Sequence, residues 1–147
     1  MKSKNKVTPI IFAVVLLFSV IASLTFCSCS HPFPYQGSLN GNWSGQLTVL
    51  TRNVPVGGTI SIAIDAKGAG TGTVTVSGSG AASAKIEAQV DPNGNLSGTV
   101  SFTISGTNFV SDWKGKVTSS GNSLSVQGTW TSQHGSGTFS GTGTSSK

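Results

Sequence analysis

The chain has 147 residues, only 9% of them charged, against a usual share of about a quarter. That length makes room for one domain, and polar residues that alternate with Val, Ile, Leu, Phe and Trp argue against disorder. The formal charge of +5 does not make a nucleic-acid binder, because Lys2, Lys4 and Lys6 belong to the first thirty residues. Beyond them six basic residues stand against four acidic ones, a net of +2 with no basic stripe to meet phosphates.

Lys2, Lys4 and Lys6 open a basic segment, and Ile10 to Phe26 is an uncharged run ending in Cys27-Ser28-Cys29-Ser30. A positive start, an apolar middle and a small-residue exit are the layout of a secretory signal. The Thr25-Phe26-Cys27-Ser28-Cys29 stretch resembles the lipobox of bacterial lipoproteins, whose cysteine carries the lipid after cleavage. The resemblance implies lipidation at Cys29, which follows the small Ser28, with Cys27 as the alternative. Cleavage after Ser30 and an uncleaved apolar anchor are the other two readings, and all three export the domain to the cell envelope or beyond. Residues 1–29 are thus read as signal or lipoprotein signal, 30–38 as a tether and 39–147 as the folded domain. Pro32 and Pro34 forbid helix in the tether and favour extended chain. Both cysteines precede the domain, so no disulfide is expected in the fold.

From Leu39 onward a large apolar residue recurs with glycine two positions away, as in Gly41-Asn42-Trp43-Ser44-Gly45, Trp113-Lys114-Gly115, Gly128-Thr129-Trp130 and Gly137-Thr138-Phe139. A spacing of two puts both on one face of a strand. Eight such period-two runs follow, separated by Gly, Asn, Asp and Ser turns. The first spans about Leu39 to Leu50, with Leu39, Trp43, Leu47 and Val49 inward. A loop is expected to hold Arg52, Pro55 and Gly57-Gly58, after which Ile60, Ile62 and Ile64 line the second strand. Val74 and Val76 point inward on the third, with Thr71, Thr73 and Thr75 outward. Ala84, Ile86, Ala88 and Val90 point inward on the fourth. Asp91-Pro92-Asn93-Gly94 is the clearest turn, with Pro fixing the first bend and Asn-Gly tolerating positive φ.

The fifth strand places Leu96, Val100, Phe102 and Ile104 inside. The sixth adds Phe109, Trp113 and Val117, the seventh Leu124, Val126 and Trp130, and the eighth Phe139. Short links imply an all-β, eight-stranded antiparallel up-and-down barrel, whose closure removes exposed edges and whose interior is just filled or holds one small ligand. If the Ser119–Asn122 and Ser132–Gly135 turns set the register, Trp113 faces Gly128, Gly128 faces Phe139 and Trp130 faces Gly137. Each ring then covers a glycine.

Gly41-Asn42-Trp43 at the head of such a meander resembles the Gly-x-Trp opening of lipocalins and other calycin barrels, and the whole chain is similar to small envelope lipoproteins of β-meander type. Lipocalins pack an arginine from near the last strand over that tryptophan, whereas the sole arginine here, Arg52, follows the first strand. The resemblance therefore implies an architecture and no particular ligand.

Catalysis needs converging titratable or nucleophilic groups, and the chain offers His31, His134 and four carboxylates scattered over turns and outward positions, so neither an enzyme nor a metal site nor a cofactor is expected. Two uses of the barrel remain. In one, Trp43, Phe102, Phe109, Trp113, Trp130 and Phe139 line an apolar pocket for a small hydrophobic ligand. In the other they fill the core, and a Ser/Thr-rich outer face meets a partner. A monomer attached to the membrane through its N-terminal lipid or apolar segment is expected in either case.

Overall fold

The computed structural model describes residues 32–49, 51–77, 82–104 and 107–146. The expected signal or anchor segment, with Cys27 and Cys29, lies outside the described residues, as do the side chains of Val49 and Ile104. Eight strands follow one another: β1 (Gly37–Val49), β2 (Arg52–Ile64), β3 (Ala69–Val76), β4 (Ala82–Val90), β5 (Asn95–Ile104), β6 (Thr107–Ser120), β7 (Ser123–Ser132) and β8 (Gly135–Ser145). Each pairs antiparallel with its predecessor, and β8 pairs with β1, from Gly37 opposite Ser145 to Leu47 opposite Gly135, closing the barrel.

Strict alternation makes the core. Leu39, Ile62, Ile64, Val74, Ile86, Val90, Leu96, Val100, Val117, Leu124 and Val126 are all buried on the inner face, with Ala88 and Phe102 packed against them half-buried. Burying such side chains is the main stabilising term available to a chain without disulfides in its fold.

Two turns at one end of the barrel are built alike. In Asp65-Ala66-Lys67-Gly68 the Asp65 carboxylate accepts hydrogen bonds from the backbone N–H groups of Lys67 (2.8 Å) and Ala69 (2.9 Å). In Asp91-Pro92-Asn93-Gly94 the Asp91 carboxylate accepts from Asn93 and Asn95, both at 2.8 Å. The glycines close both turns at φ +84° and +83°, a region that only glycine occupies freely. Their carbonyls then accept from the next strand over, Gly68 from Val90 N–H (2.8 Å) and Gly94 from Val117 N–H (2.7 Å).

Three expectations are corrected. The stretch with Arg52, Pro55 and Gly57-Gly58 is not a loop but the first half of β2, paired with β1 from Val49 opposite Arg52 onward. Proline and glycine read as turn signals, yet β2 meets β3 only over Ile60–Ile64, and this arm has the edge character that tolerates proline. Second, the β6–β7 turn is Gly121-Asn122, with Ser120 opposite Ser123 and Gly121 at φ +58°. Trp113 consequently faces Trp130, and Gly128 faces Gly115, whereas Gly128 opposite Phe139 and Trp130 opposite Gly137 stand as expected. Third, residues 33–36 are not extended: Gln36 N–H bonds back to the Phe33 carbonyl (3.3 Å), and Phe33 and Tyr35 pack edge to face, 5.5 Å apart, against the core. They sit over the paired turns, since a Cβ on Gly68 would lie 2.9 Å from the Phe33 ring and one on Gly94 2.8 Å from the Tyr35 hydroxyl.

Candidate functional site

Among the described residues, the aromatic interior is the candidate ligand site, and the register explains how it is assembled. Reading across the strands, one inner row runs Gly98, Trp113, Trp130, Gly137, Gly45 from β5 through β6, β7 and β8 to β1. The neighbouring row runs Gly115, Gly128, Phe139, Trp43, Gly58 from β6 through β7, β8 and β1 to β2. Two adjacent rings in one row therefore lie beside two adjacent glycines in the other. The rings lean into the space the glycines leave: a Cβ on Gly137 would lie 2.5 Å from Trp130 Nε1, and one on Gly115 2.9 Å from Phe139 Cζ.

The ring contacts fall in two sets. Trp43 meets Trp130 edge to face at 5.6 Å and Trp113 at 6.0 Å, while Trp113 stacks on Trp130 at 6.5 Å and tilts against Phe139 at 4.9 Å. These separations lie within the range of favourable aromatic pairs. Phe102 and Phe109 form the second set, stacked at 5.5 Å, with the His134 ring edge-on to Phe109 at 5.5 Å. The six candidate residues thus divide into a buried four-ring cluster and a pair toward the β7–β8 turn, in which Phe102 is only half-buried.

Every indole N–H of the cluster is bonded within the barrel. Trp43 Nε1 donates to the Thr75 carbonyl (2.9 Å), Trp130 Nε1 to the Ser44 carbonyl (3.1 Å) and Trp113 Nε1 to the Ser111 hydroxyl (2.9 Å). Ser111 is 3% exposed, the one buried polar residue among those described, and donates in turn to the Val100 carbonyl (3.4 Å). In the sequence alone a serine reads as outward, which conceals its burial. Its place two residues from both Phe109 and Trp113 was the signal. His134, which the sequence places among scattered turn and outward positions, is half-buried against Phe109.

The outer surface is divided by charge. Lys85 and Glu87 on β4 and Asp112, Lys114 and Lys116 on β6 are exposed, while β7, β8 and β1 carry no ionisable residue. Across those three strands the outward groups are hydroxyls and amides. Asn42, Ser44, Gln127, Thr138 and Ser140 line an open groove of about 370 Å³ there. Among the described residues, no three His, Cys, Asp or Glu converge as metal ligands. The backbone N–H of Asn95, then its side-chain amide, hold the Asp91 carboxyl below the ordinary aspartate range; desolvation opposes them, and the Asn93 N–H and the Lys116 charge add smaller contributions. That shift belongs to turn formation, since every group causing it is in the turn or beside it. No protein-family model matches the chain, and no curated protein matches it either.

Proposed function

We propose that the chain is a non-enzymatic barrel anchored in the cell envelope, which acts through its outer surface while its core is filled by its own side chains. The observation carrying this reading is the closure of the aromatic cluster on itself, each indole N–H being spent on a barrel oxygen. A pocket that orients a ligand needs a few polar groups turned toward it. The uncharged hydroxyl and amide face of β7, β8 and β1 is then the surface offered to a neutral polar partner, a polysaccharide or another protein. Anchoring rests on Lys2, Lys4, Lys6, the Ile10–Phe26 run and Cys29 as the lipidated residue. The likeness to calycin barrels belongs to this reading as well: Gly41 and Trp43 stand on the inner face of the first strand of a closed eight-stranded meander.

One observation favours a second use, carriage of a small hydrophobic ligand. Phe102 and Val56 are half-buried, and Phe109 stacks on Phe102 with less cover than the four-ring cluster has. Tryptophan fluorescence of the folded domain, titrated with fatty acids and other small hydrophobic compounds, separates the two. Blue-shifted emission that no compound disturbs is expected of the filled core. Saturable quenching at micromolar ligand overturns that and makes the barrel a carrier.

A further inference from the structure

The two ends of this barrel are not equivalent, and the chain enters at a defined one. Residues 32–36 lie across the end formed by the Asp65–Gly68, Asp91–Gly94 and Gly121-Asn122 turns, where Phe33 and Tyr35 pack over Gly68 and Gly94. The Gln36 carbonyl accepts hydrogen bonds there from Ser146 N–H (3.0 Å) and the Ser145 hydroxyl (3.3 Å), so the entering chain is fastened to the end of β8 as well. The β1–β2 arm and the β7–β8 turn, with Arg52, Gln133 and His134, occupy the other end.

Between Cys29 and Pro32, the first described residue, there are three residue steps, at most about 11 Å of extended chain. Strands of eight to fourteen residues tilted in a closed barrel stand roughly 20 to 35 Å high. A tether that short does not reach past the end from which it starts. From this, and resting on the lipid anchor proposed above, we infer that the barrel docks end-on against the lipid surface. The end with Phe33, Tyr35 and the paired turns faces the bilayer, and the end with Arg52, Gln133 and His134 faces away. Half-buried aromatic rings suit that place, because an amphipathic ring such as tyrosine is favoured where hydrocarbon meets water. The uncharged face of β7, β8 and β1 then stands upright on the membrane, open along its length to material beside it.

The test uses the full chain, processed and lipidated, in phosphatidylethanolamine/phosphatidylglycerol vesicles that carry headgroup nitroxide lipids. Maturation at Cys29 removes Cys27 and blocks Cys29, so an introduced cysteine is the only free thiol. A fluorophore is placed on Ala66→Cys, in an exposed turn at the proximal end, or on Gln133→Cys, in an exposed turn at the distal end. Quenching at Ala66→Cys is expected to exceed that at Gln133→Cys several-fold. Inserting fifteen Gly/Ser residues after Ser30, a flexible spacer of about 20 Å, is expected to narrow that difference. Equal or reversed quenching in vesicle-bound protein overturns the end-on orientation and leaves the anchor standing. Protein that fails to float with the vesicles overturns the anchor, and the orientation with it.

Discussion

Trp43 touches two other indoles and is bonded through Nε1 to the backbone of β3, two strands away, so it ties the aromatic cluster across β2. Truncating it leaves a cavity beside the two indoles it touches, and leaves the Thr75 carbonyl without the indole N–H. Trp43→Ala is therefore expected to lower unfolding free energy by about 3 to 5 kcal/mol in a denaturant titration. A loss below about 1 kcal/mol shows a layer able to collapse, which is not how a filled core behaves. Inward positions were legible in the sequence because period two is unambiguous wherever a large apolar residue marks the phase. Ser111 was not, because a small polar residue carries no phase of its own and its burial is set by the indole of Trp113 that needs its hydroxyl.

Elements tell a different story, since their boundaries depend on turns and edges more than on faces. The repeated Asp-x-x-Gly turns were half legible: Pro92-Asn93-Gly94 announces the second, while Ala66-Lys67-Gly68 has only its aspartate and glycine to give it away. The register between β6 and β7 differs from the expected one because Ser119-Ser120-Gly121-Asn122 offers two adjacent pairs for the tight positions. Gly121 at φ +58° selects the second and moves every pairing by two. The Asp91 turn also carries a pH signature. Its folded pKa is depressed, so the turn's contribution is full above the ordinary aspartate value of about 3.9 and is lost as pH falls through that value and then through the lower folded one. Asp91→Ala is expected to flatten the acid limb of a stability-against-pH profile measured by thermal melts below pH 5, without steepening any change near neutrality. An unchanged acid limb shows that the carboxylate bonds add nothing to the turn.

At the scale of the whole molecule, the all-β closed meander was legible and its occupancy was not. Strand count and short links define the closure, whereas whether rings and glycines interlock depends on a register that one turn had left ambiguous. That interlocking spans β5 to β2 through the seam, so the layer is complete only when β1 and β8 meet. Those are the first and last strands, and Gly37 pairs with Ser145 across nearly the whole domain. All-β domains rich in non-local pairings fold in about milliseconds to seconds, and refolding followed by stopped-flow tryptophan emission is expected in that range. Microsecond recovery of native emission shows that the rings come together before the seam does. During synthesis the consequence is temporal: until β8 has been added, the polypeptide lacks the strand that completes the barrel.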